Sequence, residues 1–193
     1  MMPRIPNENY PMMMSYEVRA LERLLLEHER VSFAEWGAGR STLYFTQFLE
    51  AHNIPYTWIS IEHNLEWFKW VQEHTKNNKN IFLFHIPKED MHSYVTKPQT
   101  IAKEMGITFD IALVDGIFRN ECLTEASQIA KTVLLHDAQR KSYITNGTFL
   151  AGRLLKVGKQ NRLSRIHVWY FRAHEQLWKL KQFFFGTASP LER

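Results

Sequence analysis

Cysteine is almost missing from this sequence: Cys122 is the only one in 193 residues. That count excludes an internal disulfide framework and any cysteine-cluster zinc site. Long apolar runs are missing as well. Stretches such as Ile81–Ile86 and Phe183–Phe185 fall far short of the ~20 residues a membrane helix needs. Glycine and proline are sparse, at 8 and 7 residues, and scattered, so no flexible linker is evident and no internal repeat either. No block of one charge sign dominates: 24 basic and 20 acidic residues leave a net charge of +4. So small an excess can favour an acidic ligand but is too small to argue for a protein that coats duplex nucleic acid. What is present is 45% hydrophobic, 13% aromatic and 23% charged, which excludes disorder and low-complexity arrays. The Met1–Asn9 segment carries prolines and polar residues in place of a signal-peptide apolar stretch. The expectation is one cytoplasmic domain spanning 1–193, with no membrane contact.

Strand and helix patterns alternate along the chain. Ser15 reads as an N-cap, and Val18, Leu21 and Leu25 form one helical face to about Glu29. Val31–Glu35 is a short apolar strand, followed by a break at Trp36-Gly37-Ala38-Gly39-Arg40 and a helix over Ser41–Ala51. Tyr56–Glu62, Ile81–Ile86, Phe109–Val114 and Thr132–His136 read as four more strands. A helix capped by Asn64 follows the second strand, and one carrying Cys122, Ala126 and Ile129 follows the fourth. Pro87–Pro98 reads as a loop. Arg165–Arg172 and Gln176–Phe185 predict an antiparallel pair at the C-terminal end. Alternation of this kind implies a doubly wound α/β domain with a mostly parallel sheet.

Ligands of such sheets sit at the carboxyl ends of the strands, where strand order reverses. Two glycines in Glu35–Thr42 let backbone pass close to a ligand, and the helix after them presents unpaired N–H groups. Glu62 closes the second strand, where a carboxylate can accept both hydroxyl protons of a ribose. A dinucleotide fingerprint wants a third Gly or Ala where Thr42 stands. Glu35 would also repel a pyrophosphate and suits an ammonium or sulfonium group. Both departures point from a nicotinamide cofactor to S-adenosylmethionine.

The segment Ala34-Glu35-Trp36-Gly37-Ala38-Gly39-Arg40-Ser41-Thr42 resembles the first motif of class I S-adenosylmethionine-dependent methyltransferases. Trp58–Glu62 resembles their ribose-binding strand, and Phe109–Gly116 and Val133–Asp137 resemble their fourth and fifth strand ends. The likeness covers about Met14 to Arg172. Leu134–Arg140 is further similar to the glucuronoxylan 4-O-methyltransferase family, as are the segments around Glu62 and Asp115. The resemblance implies a Rossmann-like methyltransferase fold and O-methylation of a sugar or other small, possibly acidic, acceptor. It implies cofactor contacts at Glu35, Gly37, Ala38, Gly39, Ser41, Thr42, Glu62, Asp90 and Asp115, with Asp90 reaching the adenine amino group.

Asp115, Asp137 and His136 are the candidate catalytic groups, since methyl transfer to oxygen needs a hydroxyl made nucleophilic and held in line. His136 is a candidate base by its ordinary pKa. Arg119 and Arg140, each just past one of the aspartates, are candidate substrate contacts for an anionic acceptor. Catechol-type O-methyltransferases hold a divalent cation with two such aspartates and a following Asn, but Ala138 stands at that place, so the metal is left unassigned. Two other readings remain open. One is a nucleic-acid methyltransferase, resting on Arg153, Lys156, Lys159, Arg162 and Arg165, which without interleaved aromatics fit a solvated helix face better. The other is a non-catalytic binding domain of the same fold.

Overall fold

The computed structural model describes residues 10–13 and 15–136. The element order is α1 (Ser15–Leu26), β1 (Val31–Trp36), α2 (Arg40–Ala51), β2 (Tyr56–Glu62), α3 (Leu65–Thr75), β3 (Ile81–His85), α4 (Met91–Met105), β4 (Phe109–Val114), α5 (Arg119–Ile129) and β5 (Ala130–Leu135). The five strands form one sheet in the order β3-β2-β1-β4-β5, and every pairing is parallel. The doubly wound, Rossmann-like α/β architecture read from the sequence is the one observed. The antiparallel pair expected over 165–172 and 176–185 lies outside the described residues. No helix among the described residues is long and apolar enough to cross a membrane.

Strand geometry sends alternate side chains to opposite faces, and the sequence supplies apolar residues to both. Phe33, Trp58, Ile111, Leu113 and Leu134 face α1 and α2, where Val18, Leu21, Leu25, Phe45 and Leu49 cover them. Phe33 and Trp58 stack with ring centroids 3.8 Å apart. Ala34, Trp36, Ile59, Ile61, Val114 and Val133 face α4 and α5 and pack on Tyr94, Ile101, Cys122 and Ala126. The small Ala34 and Ala112 let these helices lie close to the central strands.

Helix α4 corrects the reading of Pro87–Pro98 as a loop. It starts at Met91, with Asp90 as N-cap accepting from the Ser93 amide, and contains Pro98. Proline lacks the N–H that would bond the carbonyl four residues back, at Tyr94, and normally ends a helix. Here Trp36 Nε1 donates to that carbonyl at 3.1 Å, and to the Val95 carbonyl at 3.2 Å. A side chain from the central strand thus satisfies the gap that proline opens, and the helix continues to a left-handed cap at Gly106.

Candidate functional site

Strand order reverses between β1 and β4, so the loops after these strands meet at the carboxyl edge of the sheet. They meet closely. Gly37 has φ +102°, a conformation L side chains rarely adopt, and a Cβ on it would lie 2.7 Å from the Gly116 amide nitrogen. A Cβ on Gly116 would lie 2.1 Å from the Tyr94 hydroxyl. Glycine at both positions lets the two loops touch, with Tyr94 of α4 packed beneath them. The Gly37 and Ala38 amides donate to the Ile61 carbonyl at 2.8 and 3.2 Å, which ties the turn to the end of β2. Gly39 donates to Thr42 Oγ1 at 3.1 Å, and nothing lies within 4 Å of a Cβ built on it. The open side of the turn is therefore at Gly39, over the first turn of α2.

Four carboxylates approach this edge, and the protein holds each differently. Glu35 is fully buried. Its Oε1 accepts from Ser41 Oγ at 2.6 Å. Its Oε2 accepts from Thr42 Oγ1 and Ser60 Oγ at 2.6 Å and from Trp58 Nε1 at 3.0 Å. Burial pushes its pKa up, against the pull of these four donors. The sequence reading placed Glu35, Ser41 and Thr42 at the cofactor. In the structure these side chains bind one another inside the protein, because Glu35 lies on the strand face that α2 covers. Ser41 and Thr42 keep a place at the site only through their backbone at the start of α2.

Glu62 and Asp115 are held at one oxygen each. Glu62 Oε1 accepts from the Asn64 amide at 2.7 Å, and His63 Nδ1 lies 3.0 Å from the same oxygen. Asp115 Oδ1 takes His136 Nδ1 at 2.7 Å and Arg119 Nη2 at 3.0 Å. Among the described residues, Glu62 Oε2 and Asp115 Oδ2 take no hydrogen bond. Burial pushes Glu62 up to about 7; the Asn64 and His63 backbone pulls it down, and the charges of Glu35 and Asp115 push it further up. Glu17 of α1, 8% exposed, is the fourth, with Oε2 3.4 Å from His136 Nε2.

His136 and Arg119 are both engaged within the protein. Burial works against a charge on His136, but hydrogen bonds and charge from Asp115 and Glu17 outweigh it and push its pKa up to about 10. Raised that far, the ring favours its protonated form, with its two nitrogens facing Asp115 and Glu17. Arg119 turns back onto the scaffold. Its Nε donates to the Gly116 carbonyl at 2.9 Å, Nη1 to the His136 carbonyl at 2.7 Å, and Nη2 to the Asp115 carbonyl at 2.7 Å as well as to its side chain. Four of its donor bonds go to backbone and side chain just past the ends of β4 and β5.

Asp90 sits past β3 and uses Oδ1 to cap α4. Asp137 and Arg140 lie outside the described residues, as do Ala138 and the basic stretch 153–165. No group of three or more His, Cys, Asp or Glu among the described residues has the geometry to hold a metal ion. Two participants escaped the sequence reading. Glu17 falls four residues before Leu21, on the buried stripe of α1, and a carboxylate in that stripe was the available signal. Tyr94 was hidden because its helix was read as a loop.

The fold is a Rossmann-like α/β domain, and acidic side chains gather at its topological switch point. No protein family and no curated protein matches the sequence. Among solved structures, the chain is similar to a yeast methylglyoxal/isovaleraldehyde reductase, Gre2, complexed with NADPH. The identity is 12% and the TM-score 0.44, over 72% of this chain and 56% of the reductase, less than two thirds of that protein. It is also similar to a precorrin-6y C5,15-methyltransferase from Geobacter metallireducens GS-15, at 14% identity and TM-score 0.49, over 79% of each chain.

Proposed function

We propose that the chain is an S-adenosylmethionine-dependent methyltransferase that methylates a hydroxyl of a small-molecule or glycan acceptor. One observation carries this reading: Glu62 and Asp115, on either side of the Gly37–Gly116 contact, each keep one oxygen tied and present the other. A tied carboxylate has a fixed direction, so its second oxygen is a preorganised acceptor. Glu62 Oε2 suits the hydroxyl protons of a ribose, and Asp115 Oδ2 suits an ammonium group or an acceptor hydroxyl. Both are acceptor oxygens, which suit hydroxyl and ammonium donors better than a pyrophosphate and so disfavour a dinucleotide.

S-adenosylmethionine supplies an electrophilic methyl on a sulfonium. The chain's own residues bind and orient: Gly37, Ala38 and Gly39 by a close backbone, Glu62 by its acceptor oxygen, and Asp90 from the rim of α4. With His136 already protonated, the group that takes or orients the acceptor's proton is a carboxylate, Asp115 or Asp137. Arg140 is the remaining proposed contact for an acidic acceptor.

A thermal-shift comparison separates the rivals, because a ligand that binds only the folded state raises the melting temperature. S-adenosylmethionine and S-adenosylhomocysteine should each stabilise the protein, and NAD should not. Stabilisation by NAD alone would give the crevice to a dinucleotide instead. Salt-sensitive retention on RNA would favour the nucleic-acid reading.

A further inference from the structure

We propose that the N-terminal helix belongs to the site: Glu17 of α1, acting through His136, is a positioning residue that holds Asp115 Oδ1 so that Oδ2 is presented to the ligand. The inference rests on reading Asp115 as a ligand contact and adds a residue that no motif marks.

The buried side of α1 is otherwise apolar, with Val18, Leu21, Leu24 and Leu25 all under 9% exposed. A carboxylate within that stripe is costly unless a partner compensates it. One such partner is His136, whose two ring nitrogens face two carboxylates: Nε2 lies 3.4 Å from Glu17 Oε2 and Nδ1 lies 2.7 Å from Asp115 Oδ1. An imidazole donates from both nitrogens only when it is protonated, so this arrangement calls for an imidazolium. The elevated pKa of His136 agrees with that requirement.

Among the described residues, the groups facing His136 come from three elements: Glu17 from α1, Asp115 from the end of β4, and Arg119 from α5, which binds the His136 carbonyl at 2.7 Å. Backbone and ring are therefore both pinned. Without the Glu17 charge, the ring can lose its Nε2 proton, and its bond to Asp115 weakens from a charge-assisted to an ordinary hydrogen bond. Asp115 Oδ1 then keeps only the Arg119 contact as a firm charged partner, and Oδ2 loses its fixed direction. A helix that looks like mere core cover would in this way set the aim of a ligand-binding oxygen.

The test uses the full chain, with histidine ¹⁵N spectra and calorimetric titration of S-adenosylmethionine on wild type, Glu17→Gln and Glu17→Asp. In wild type at pH 8, both ring nitrogens of His136 should carry protons. Glu17→Gln should lose one of those protons and bind S-adenosylmethionine about tenfold more weakly, the loss of one charge-assisted contact. Glu17→Asp, which keeps the charge, should recover most of both, a rescue that a purely space-filling role would not produce. A folded Glu17→Gln with an unchanged His136 spectrum or unchanged affinity overturns the positioning role. Wild type that binds no S-adenosylmethionine overturns the cofactor reading, and the positioning role with it, whatever the spectra show. Should Glu17→Gln fail to fold, His136→Gln takes its place: the same loss of affinity supports the proposal, and full affinity overturns it.

Discussion

Glu35 and Glu62 are residues of one type on neighbouring strands, both buried, and the protein treats them in opposite ways. Four donors occupy the two oxygens of Glu35, whereas Glu62 keeps Oε2 for something else. Glu35→Ala would leave Ser41, Thr42, Ser60 and Trp58 without their acceptor. With each buried orphan costing about 1–3 kcal/mol, denaturant unfolding should show a loss of more than about 3 kcal/mol. Glu62→Gln should instead keep most of the stability and lose about 1.5–3 kcal/mol of S-adenosylmethionine affinity by calorimetry. The sequence made both residues visible as strand-end acids, but not which one faces outward. That depends on Ser60 and Trp58 of the next strand and on the hydroxyls of α2, a convergence only the fold assembles. Glu62 also sets a pH dependence. Its folded pKa of about 7 lies above the ordinary 4.5, so the unliganded fold loses stability as pH rises from 4.5 to 7. A ligand that needs the ionised form should release a proton on binding at pH 6 and none at pH 8.5. Calorimetry in buffers of different ionisation enthalpy reads that release, and equal proton counts at both pH values would contradict it.

At the scale of elements, β1 and α4 depend on each other through Trp36 and Pro98. Trp36→Phe removes the Nε1–H that satisfies the Tyr94 and Val95 carbonyls and should cost about 1–3 kcal/mol. Pro98→Ala returns a backbone N–H to the Tyr94 carbonyl, so Trp36→Phe should cost less in that background. A double-mutant cycle with no coupling would show that the two residues act separately. The contact of the β1 and β4 loops invites a similar pair. Gly116→Ala puts a methyl onto the Tyr94 hydroxyl and should lower the melting temperature, with partial recovery in a Tyr94→Phe background. Helix α4 was illegible in sequence because Pro98 is a true local breaker, and its rescue comes from a residue 62 positions earlier. The five strands were legible because their apolar runs are short, β-rich and bounded by polar turns, with only end residues shifting.

At the scale of the molecule, α1, β4, β5 and α5 converge on a charge array made of Glu17, Asp115, His136 and Arg119. The raised pKa of His136 links this array to stability. Its contribution is complete below the ordinary 6.5 and is lost as pH rises through about 10. The wild-type melting temperature should therefore fall between pH 7 and pH 10, and this slope should flatten in His136→Gln. Composition and motif order made the sheet readable from the sequence. The division of labour among the charges was not, since Arg119 and His136 look like a substrate clamp and a base until their partners are seen.

The most direct measurement is a calorimetric titration of S-adenosylmethionine onto wild type and Glu62→Gln, with NAD as the control ligand. Saturable S-adenosylmethionine binding by wild type, clearly weakened in a Glu62→Gln protein of near-native melting temperature, with no NAD binding, is the predicted result. Equal affinity in the two proteins, or binding of NAD in place of S-adenosylmethionine, would contradict it.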